Sequence, residues 1–228
     1  MSCGKTLSWK ELVPIFSFLY QKGSCKKCKS KISWQYPLVE FATGLLFVLI
    51  FIMYPPLTPL LAVRTIELVI VTCLMLVISV YDIKHKIIPD PFVIAFSLVT
   101  IAGLFIGGSS WLHMSDIWSL LAGPILALPF ALIWLVSRGR WMGLGDAKLV
   151  LGIGWLLGLN GGLNAIILAF WIAAAISIGW LLITFKRLKS GVEIPFGPYL
   201  ILGMYLVLLF HIQVIDLDLV RSLWLSYV

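Results

Sequence analysis

The sequence predicts an all-α, polytopic integral membrane protein of about seven transmembrane helices, with a small cytoplasmic Cys-containing N-terminal unit. Three observations carry that prediction. Of 228 residues, 61% are hydrophobic and 12% charged, about half the charged share of a soluble domain, and the mean hydropathy is +1.05. The apolar residues collect in runs at about 37–54, 65–81, 91–107, 117–136, 147–159, 163–185 and 197–213; most of these are long enough to cross a ~30 Å hydrocarbon core. The basic residues lie in the short segments between runs, where they set orientation.

Residues 1–36 are polar and lysine-rich, with no apolar core of a signal peptide. Within them "ELVPIFSFLY" is too short to span and suits an interfacial or packed segment. The run at 147–159 is the shortest and holds Gly152, Gly154 and Gly158, which predicts close approach of a neighbouring helix. The connections "PPLTPL", "GGSSWLHMSD" and "LNGG" fall on the opposite side from the basic loops. Residues 214–228 alternate Asp with Leu, Val and Trp, as an interfacial amphipathic tail does. Three units follow: 1–36 cytoplasmic, 37–213 transmembrane and 214–228 extracytoplasmic.

Threading the chain with its N-terminus inside puts fifteen of the 17 Lys and Arg on the cytoplasmic side, leaving Arg64 and Arg221 outside. The net charge of +7 is therefore read as topogenic and lipid-directed, not as a nucleic-acid footprint. Of the four cysteines, Cys73 lies in an apolar run and reads as a small core residue. Cys3, Cys25 and Cys28 share the polar N-terminal segment, which is metal-like usage.

Ten acidic residues are few enough to weigh singly. Glu11, Glu40, Glu67, Asp116, Glu193, Asp216 and Asp218 lie near span ends or in polar segments, where solvated or capping roles are expected. Asp90, between Pro89 and Pro91, reads as a helix N-cap. Asp82 ends the second run and Asp146 begins the fifth, both at the cytoplasmic boundary. The ordinary readings are a charge paired with Lys84, His85 or Lys86 for Asp82, and an N-cap paired with Lys148 for Asp146. Together the two fit a reaction: like charges held close share a proton and titrate as a unit. One carboxylate then serves as base on a water while the other polarises a peptide carbonyl. Gly143 and Gly145 give the backbone room to turn and a substrate chain room to approach.

Four segments carry a family resemblance. "GLGD" at 143–146 matches the GxGD signature of intramembrane-type aspartyl proteases, and "DIKHKIIPD" at 82–90 resembles the first-aspartate motif of bacterial type IV prepilin peptidases. The stretch at 7–40 resembles that family's N-terminal cytoplasmic region, and "IPFGPYL" at 194–200 its late Pro-Phe-Gly-Pro motif. The resemblance implies Asp82 and Asp146 as catalytic aspartates, supported by Gly143, Gly145, Lys148, Pro195, Gly197 and Pro198. It implies cleavage after glycine of the basic leader of prepilins or pseudopilins, at the cytoplasmic face of the inner membrane. It further implies N-methylation of the new terminus from S-adenosylmethionine, and service to type IV pili, type II secretion or competence.

Relatives with the cysteine region carry two CxxC pairs suited to structural zinc. This chain has Cys25 and Cys28 as one pair and Cys3 alone. Alignment to that pattern puts the missing cysteine one residue before Met1, and the expectation is a longer natural chain with that cysteine and an eighth, N-terminal span. The rival is a genuine short form. Zinc on Cys3, Cys25 and Cys28 thus lacks an evident fourth ligand, with His85 a weak candidate. Two other functions stay open: a peptidase-only prepilin or preflagellin peptidase, and an ion- or proton-coupled transporter with carboxylates nearer mid-membrane. Neither the substrate nor the oligomeric state is legible.

Overall fold

The computed structural model describes residues 4, 6–107, 114–184 and 195–216. Among them every regular element is helical: a 3-10 turn at Trp9–Glu11, then α1 (Phe16–Tyr20), α2 (Gln35–Met53), α3 (Pro59–His85), α4 (Asp90–Gly107), α5 (Met114–Ser137), α6 (Leu144–Thr184) and α7 (Gly197–Phe210). Four of these, α2, α3, α5 and α6, are long and apolar enough to cross a membrane, while α4 and α7 are apolar but shorter. The chain is thus the polytopic helical membrane protein that its composition predicts.

Local signals account for several helix ends. Thr58 caps α3, its Oγ1 accepting the Leu61 N–H at 3.2 Å, and Pro59 follows at a position that needs no donor. Lys86 closes the same helix in the left-handed region, φ 56°. The outward faces of most helices are as apolar as the inward ones: Leu98, Leu135 and Trp180 are exposed while Phe96, Leu149, Ile153 and Met204 are fully buried. That is the pattern of helices solvated by lipid, where hydrophobicity does not separate inside from outside.

At 41 residues, α6 would measure ~60 Å if continuous, about twice the hydrocarbon core. It is instead a hairpin. Gly158 leaves helical geometry at φ 72°, ψ −177°, and a Cβ built on Gly162 would stand 3.4 Å from the Cα of Gly154. Residues eight apart lie ~12 Å apart along a straight helix, so the chain doubles back. The runs read at 147–159 and 163–185 are the two limbs.

The first limb is the packing centre. A Cβ on Gly154 would lie 2.6 Å from the Cα of Gly123 in α5, so the two backbones touch, as the glycine-rich run predicts. α5 contains Pro124 and Pro129. The missing N–H of Pro124 frees the carbonyl of Leu120 one turn earlier, and Trp155 Nε1 on α6 donates to that carbonyl at 2.8 Å. A neighbouring helix thereby satisfies a backbone group that lipid cannot.

The structure corrects two expectations outside the site. Glu67 is not a solvated end residue: its side chain is only 8% exposed, paired with Arg64 at 2.7 Å and set against Gly103 of α4. Arg64 also donates to the carbonyl of Leu156 at 3.3 Å, two residues before the hairpin break. The α3 helix begins six residues before the apolar run at 65–81, so this pair falls within it. Cys73, expected as a small core residue, is instead exposed on α3. Glu40 stays exposed as expected, and accepts the Ile15 N–H at 2.7 Å, which ties the N-terminal unit to α2. Glu11 is a cap, in a reciprocal box with Ser8.

Candidate active site

Asp82 sits in the last turn of α3 and Asp146 in the first turn of α6. Both are buried, at 4% and 9% exposure. Three chain segments close around them. Asp82 Oδ2 accepts the backbone N–H of Gly197 at 3.1 Å, so a carboxylate faces the first residue of α7, where unpaired N–H groups collect. Ile88, in the link between α3 and α4, packs between the starts of α6 and α7. A Cβ on Gly145 would lie 2.8 Å from Ile88 Cβ, and one on Gly197 would lie 3.3 Å from Ile88 Cδ1. The same Cβ on Gly197 would be 2.6 Å from Asp82 Oδ2, so only glycine allows that approach.

Asp146 is placed by its own loop. Its N–H donates to the Gly143 carbonyl at 3.3 Å, and the turn opens α6 at Leu144. Gly143 stands near the carboxylate, with an added Cβ 3.6 Å from Asp146 Oδ2, so the space beside the acid is bounded by backbone. The late motif meets the site through the hydrogen bond from the Gly197 N–H. Pro195 and Pro198 flank it, Pro198 at the proline-tolerant start of α7, and Phe196 stacks on Phe170 with ring centroids 4.8 Å apart.

Lys148 does not pair with Asp146. Its Nζ bonds Asp90 Oδ1 at 2.7 Å, tying the start of α4 to the first limb of α6. Asp90 is accordingly an interhelix ion-pair partner at the first residue of α4 rather than a simple N-cap. Two side chains only two residues apart, and so on different sides of the helix start, take separate roles, Asp146 turned inward and Lys148 to the rim. The contribution of Ile88 and the Gly197 amide was not anticipated. The Gly-Pro pair at a helix start was the available signal for the second, since it exposes an N–H to any nearby anion.

The zinc reading gains no support. Cys25 and Cys28 lie in a tight hairpin marked by the Ser24–Lys31 bridge, with Cys28 Sγ 3.0 Å from Ser30 Oγ. Among the described residues no group of three or more His, Cys, Asp or Glu side chains could hold a metal ion. His85 instead stacks on Tyr81, centroids 4.5 Å apart. Cys3 lies outside the described residues.

Two family models match the chain: the Bacterial Peptidase A24 N-terminal domain over residues 1–54 and the Type IV leader peptidase family over residues 69–178. The second range contains both Asp82 and Asp146. A Prepilin leader peptidase/N-methyltransferase of Bacillus subtilis is 30% identical over 216 residues, covering 94% of this chain and 82% of the relative. Proteins of the same name from Stutzerimonas stutzeri and Pseudomonas aeruginosa are 29% and 28% identical, each covering 93% of this chain and 71% of its own length. No solved structure matches. By sequence over nearly its whole length, the chain belongs to the type IV leader peptidase family.

Proposed function

We propose that the chain is a type IV prepilin peptidase, an aspartic endopeptidase whose catalytic pair is Asp82 and Asp146. The observation that carries this, in a member of that family, is that Ile88 packs against both Gly197, whose N–H binds Asp82, and Gly145, the residue before Asp146, so that two buried carboxylates from α3 and α6 lie around one contact. Like charges held in a poorly hydrated site favour one shared proton. One carboxylate removes a proton from a water, whose oxygen attacks the scissile carbonyl carbon. The other, protonated, donates to the carbonyl oxygen as it gains charge. The tetrahedral intermediate then breaks at the C–N bond: the departing amine takes the proton that the first carboxylate drew from water, and the second carboxylate recovers its proton as the carbonyl re-forms. Gly197 orients Asp82 through its N–H, while the glycines flanking Leu144 leave backbone-wide space beside Asp146. In this reading Gly143, Gly145, Pro195, Gly197 and Pro198 shape the site, and Lys148 braces it through Asp90.

The finer reading places cleavage after a glycine at the end of a basic leader, at the cytoplasmic face of the inner membrane, on prepilins or pseudopilins. The basic inside loops of a multi-pass topology support that orientation. The N-methyltransferase half of the relatives' names supports a second activity, N-methylation of the new terminus with S-adenosylmethionine as methyl donor. No step is assigned to zinc, since the described residues do not form a site for it.

The test is co-expression with a prepilin. Wild-type chain should shorten it by the leader on a gel, and mass spectrometry of the new terminus should report one added methyl group. Asp82→Asn and Asp146→Asn should each abolish the shortening. Normal processing by either variant, at matched membrane abundance, overturns the assignment.

A further inference from the structure

The N-terminal unit presents an outward face that neither the peptidase site nor the helix bundle uses. Its 3-10 turn and α1 expose Trp9 (73%), Phe16 (73%) and Tyr20 (79%), with Leu12 and Leu19 beside them. Phe16, Leu19 and Tyr20 share one helical face by their spacing, while Phe18 turns the other way and is buried. A soluble surface rarely gathers so much contiguous apolar area without a partner. A cavity of about 570 Å³ opens in this face, lined in part by Trp9, Val13, Phe16 and Tyr20, with Lys26 at its edge.

Charge complements this face. Between Glu11 and Glu40 the chain has five lysines and no acidic residue. All five, Lys22, Lys26, Lys27, Lys29 and Lys31, are exposed. Three of them crowd the tip of a hairpin closed by Cys25 N–H to Ser30 O at 2.9 Å and Ile32 N–H to Gly23 O at 2.8 Å. Lys26 Nζ rests 4.2 Å from the centroid of the Tyr20 ring, which links the cationic hairpin to the aromatic face. The two acidic residues that bound this stretch are engaged, Glu11 by Ser8 at 3.0 Å and Glu40 by Ile15 at 2.7 Å.

Position selects the partner. Phe18 meets Trp34 edge-on, ring centroids 4.8 Å apart, and Trp34 immediately precedes α2, a helix apolar enough to cross a membrane. The Glu40–Ile15 bond holds the unit beside the first turns of that helix. The unit is therefore tethered at the depth where a spanning helix leaves the hydrocarbon, which is where Trp and Tyr partition. Apolar rings with lysines around them, fixed at that depth, match a lipid interface carrying negative headgroups.

We infer that residues 6–34 form an interfacial module docked on anionic phospholipid, with acyl chains against Trp9, Phe16 and Tyr20 and headgroup phosphates against Lys26 and the hairpin lysines. Docking holds the N-terminal unit flat against the membrane beside α2. The inference is independent of which residues perform peptide cleavage.

Hydrogen–deuterium exchange on the full chain tests this. The chain is placed in nanodiscs of phosphatidylcholine alone or with phosphatidylglycerol. Amides of residues 6–34 should exchange more slowly, by about tenfold or more, in the anionic discs, and high salt should remove much of that difference. Lys26→Gln/Lys27→Gln/Lys29→Gln should lose the phosphatidylglycerol increment. Phe16→Ser/Leu19→Ser should lose protection in both discs, while core amides of α3 and α6 in the same samples confirm that each variant is folded. Equal exchange in both lipids overturns the inference. So does protection that requires two chains per disc, which would make the face a contact between copies.

Discussion

Asp82 and Asp146 are both buried, but neighbours at the two positions differ. Asp82 faces the Gly197 amide at 3.1 Å, whereas Asp146 is bounded by the Gly143 turn. On the proposed mechanism, Asp82→Asn or Asp146→Asn removes the proton-transfer capacity of the pair at nearly constant volume. Leader cleavage should fall by at least about a thousandfold, followed by gel in detergent-solubilised enzyme, with circular dichroism unchanged. Gly197→Ala is a subtler probe. Its Cβ would come within 2.6 Å of Asp82 Oδ2, so the carboxylate must move. A displacement of about 1 Å costs on the order of a hundredfold in rate, expected in kcat with little change in thermal stability.

The two-limbed α6 sets where Asp146 sits, because its first limb is wedged by Gly154 on α5 and steadied by Trp155. The indole N–H of Trp155 replaces the donor that Pro124 lacks. Trp155→Phe keeps the aromatic volume but strands the Leu120 carbonyl, at a cost of about 1–3 kcal/mol. Unfolding in mixed micelles should register that loss, and a variant as stable as wild type would remove the carbonyl from the account. The sequence marked this element well: its glycines indicated close packing, and "LNGG" indicated reversal. What it could not indicate was which carbonyl Trp155 serves, since the pairing joins residues 35 positions apart.

Across the whole molecule the positive-inside rule predicts that the charges divide by side. Arg64, the described basic residue threaded outside, closes an ion pair with Glu67 and reaches the carbonyl of Leu156 near the turn of α6. Arg64→Ala leaves Glu67 buried and unpaired, which should destabilise the bundle by about 3–5 kcal/mol, while Arg64→Met/Glu67→Leu should cost much less. Thermal unfolding of the two variants separates a paired charge from plain packing. Orientation is tested in intact cells after the native cysteines are replaced by serine. Lys27→Cys should resist a membrane-impermeant maleimide and Leu57→Cys should react, as the basic inside loops require; the opposite pattern would invert the topology.

Composition and run length by themselves determined that this chain is a helical membrane protein, because a lipid solvent demands long apolar helices wherever the chain crosses. Motif order along the chain marked Asp82 and Asp146 as the residues to examine, and the basic loops indicated which way the chain runs. Only the tertiary structure decided the partners. It sent Lys148 to Asp90 rather than Asp146, buried Glu67 against Arg64, and brought the Gly197 amide to Asp82 from 115 residues away. In lipid every face of a helix is apolar, so periodicity cannot say which side meets a neighbour. Helix rotation and depth, and with them the pairing of each polar group, are settled by close packing between segments far apart in sequence.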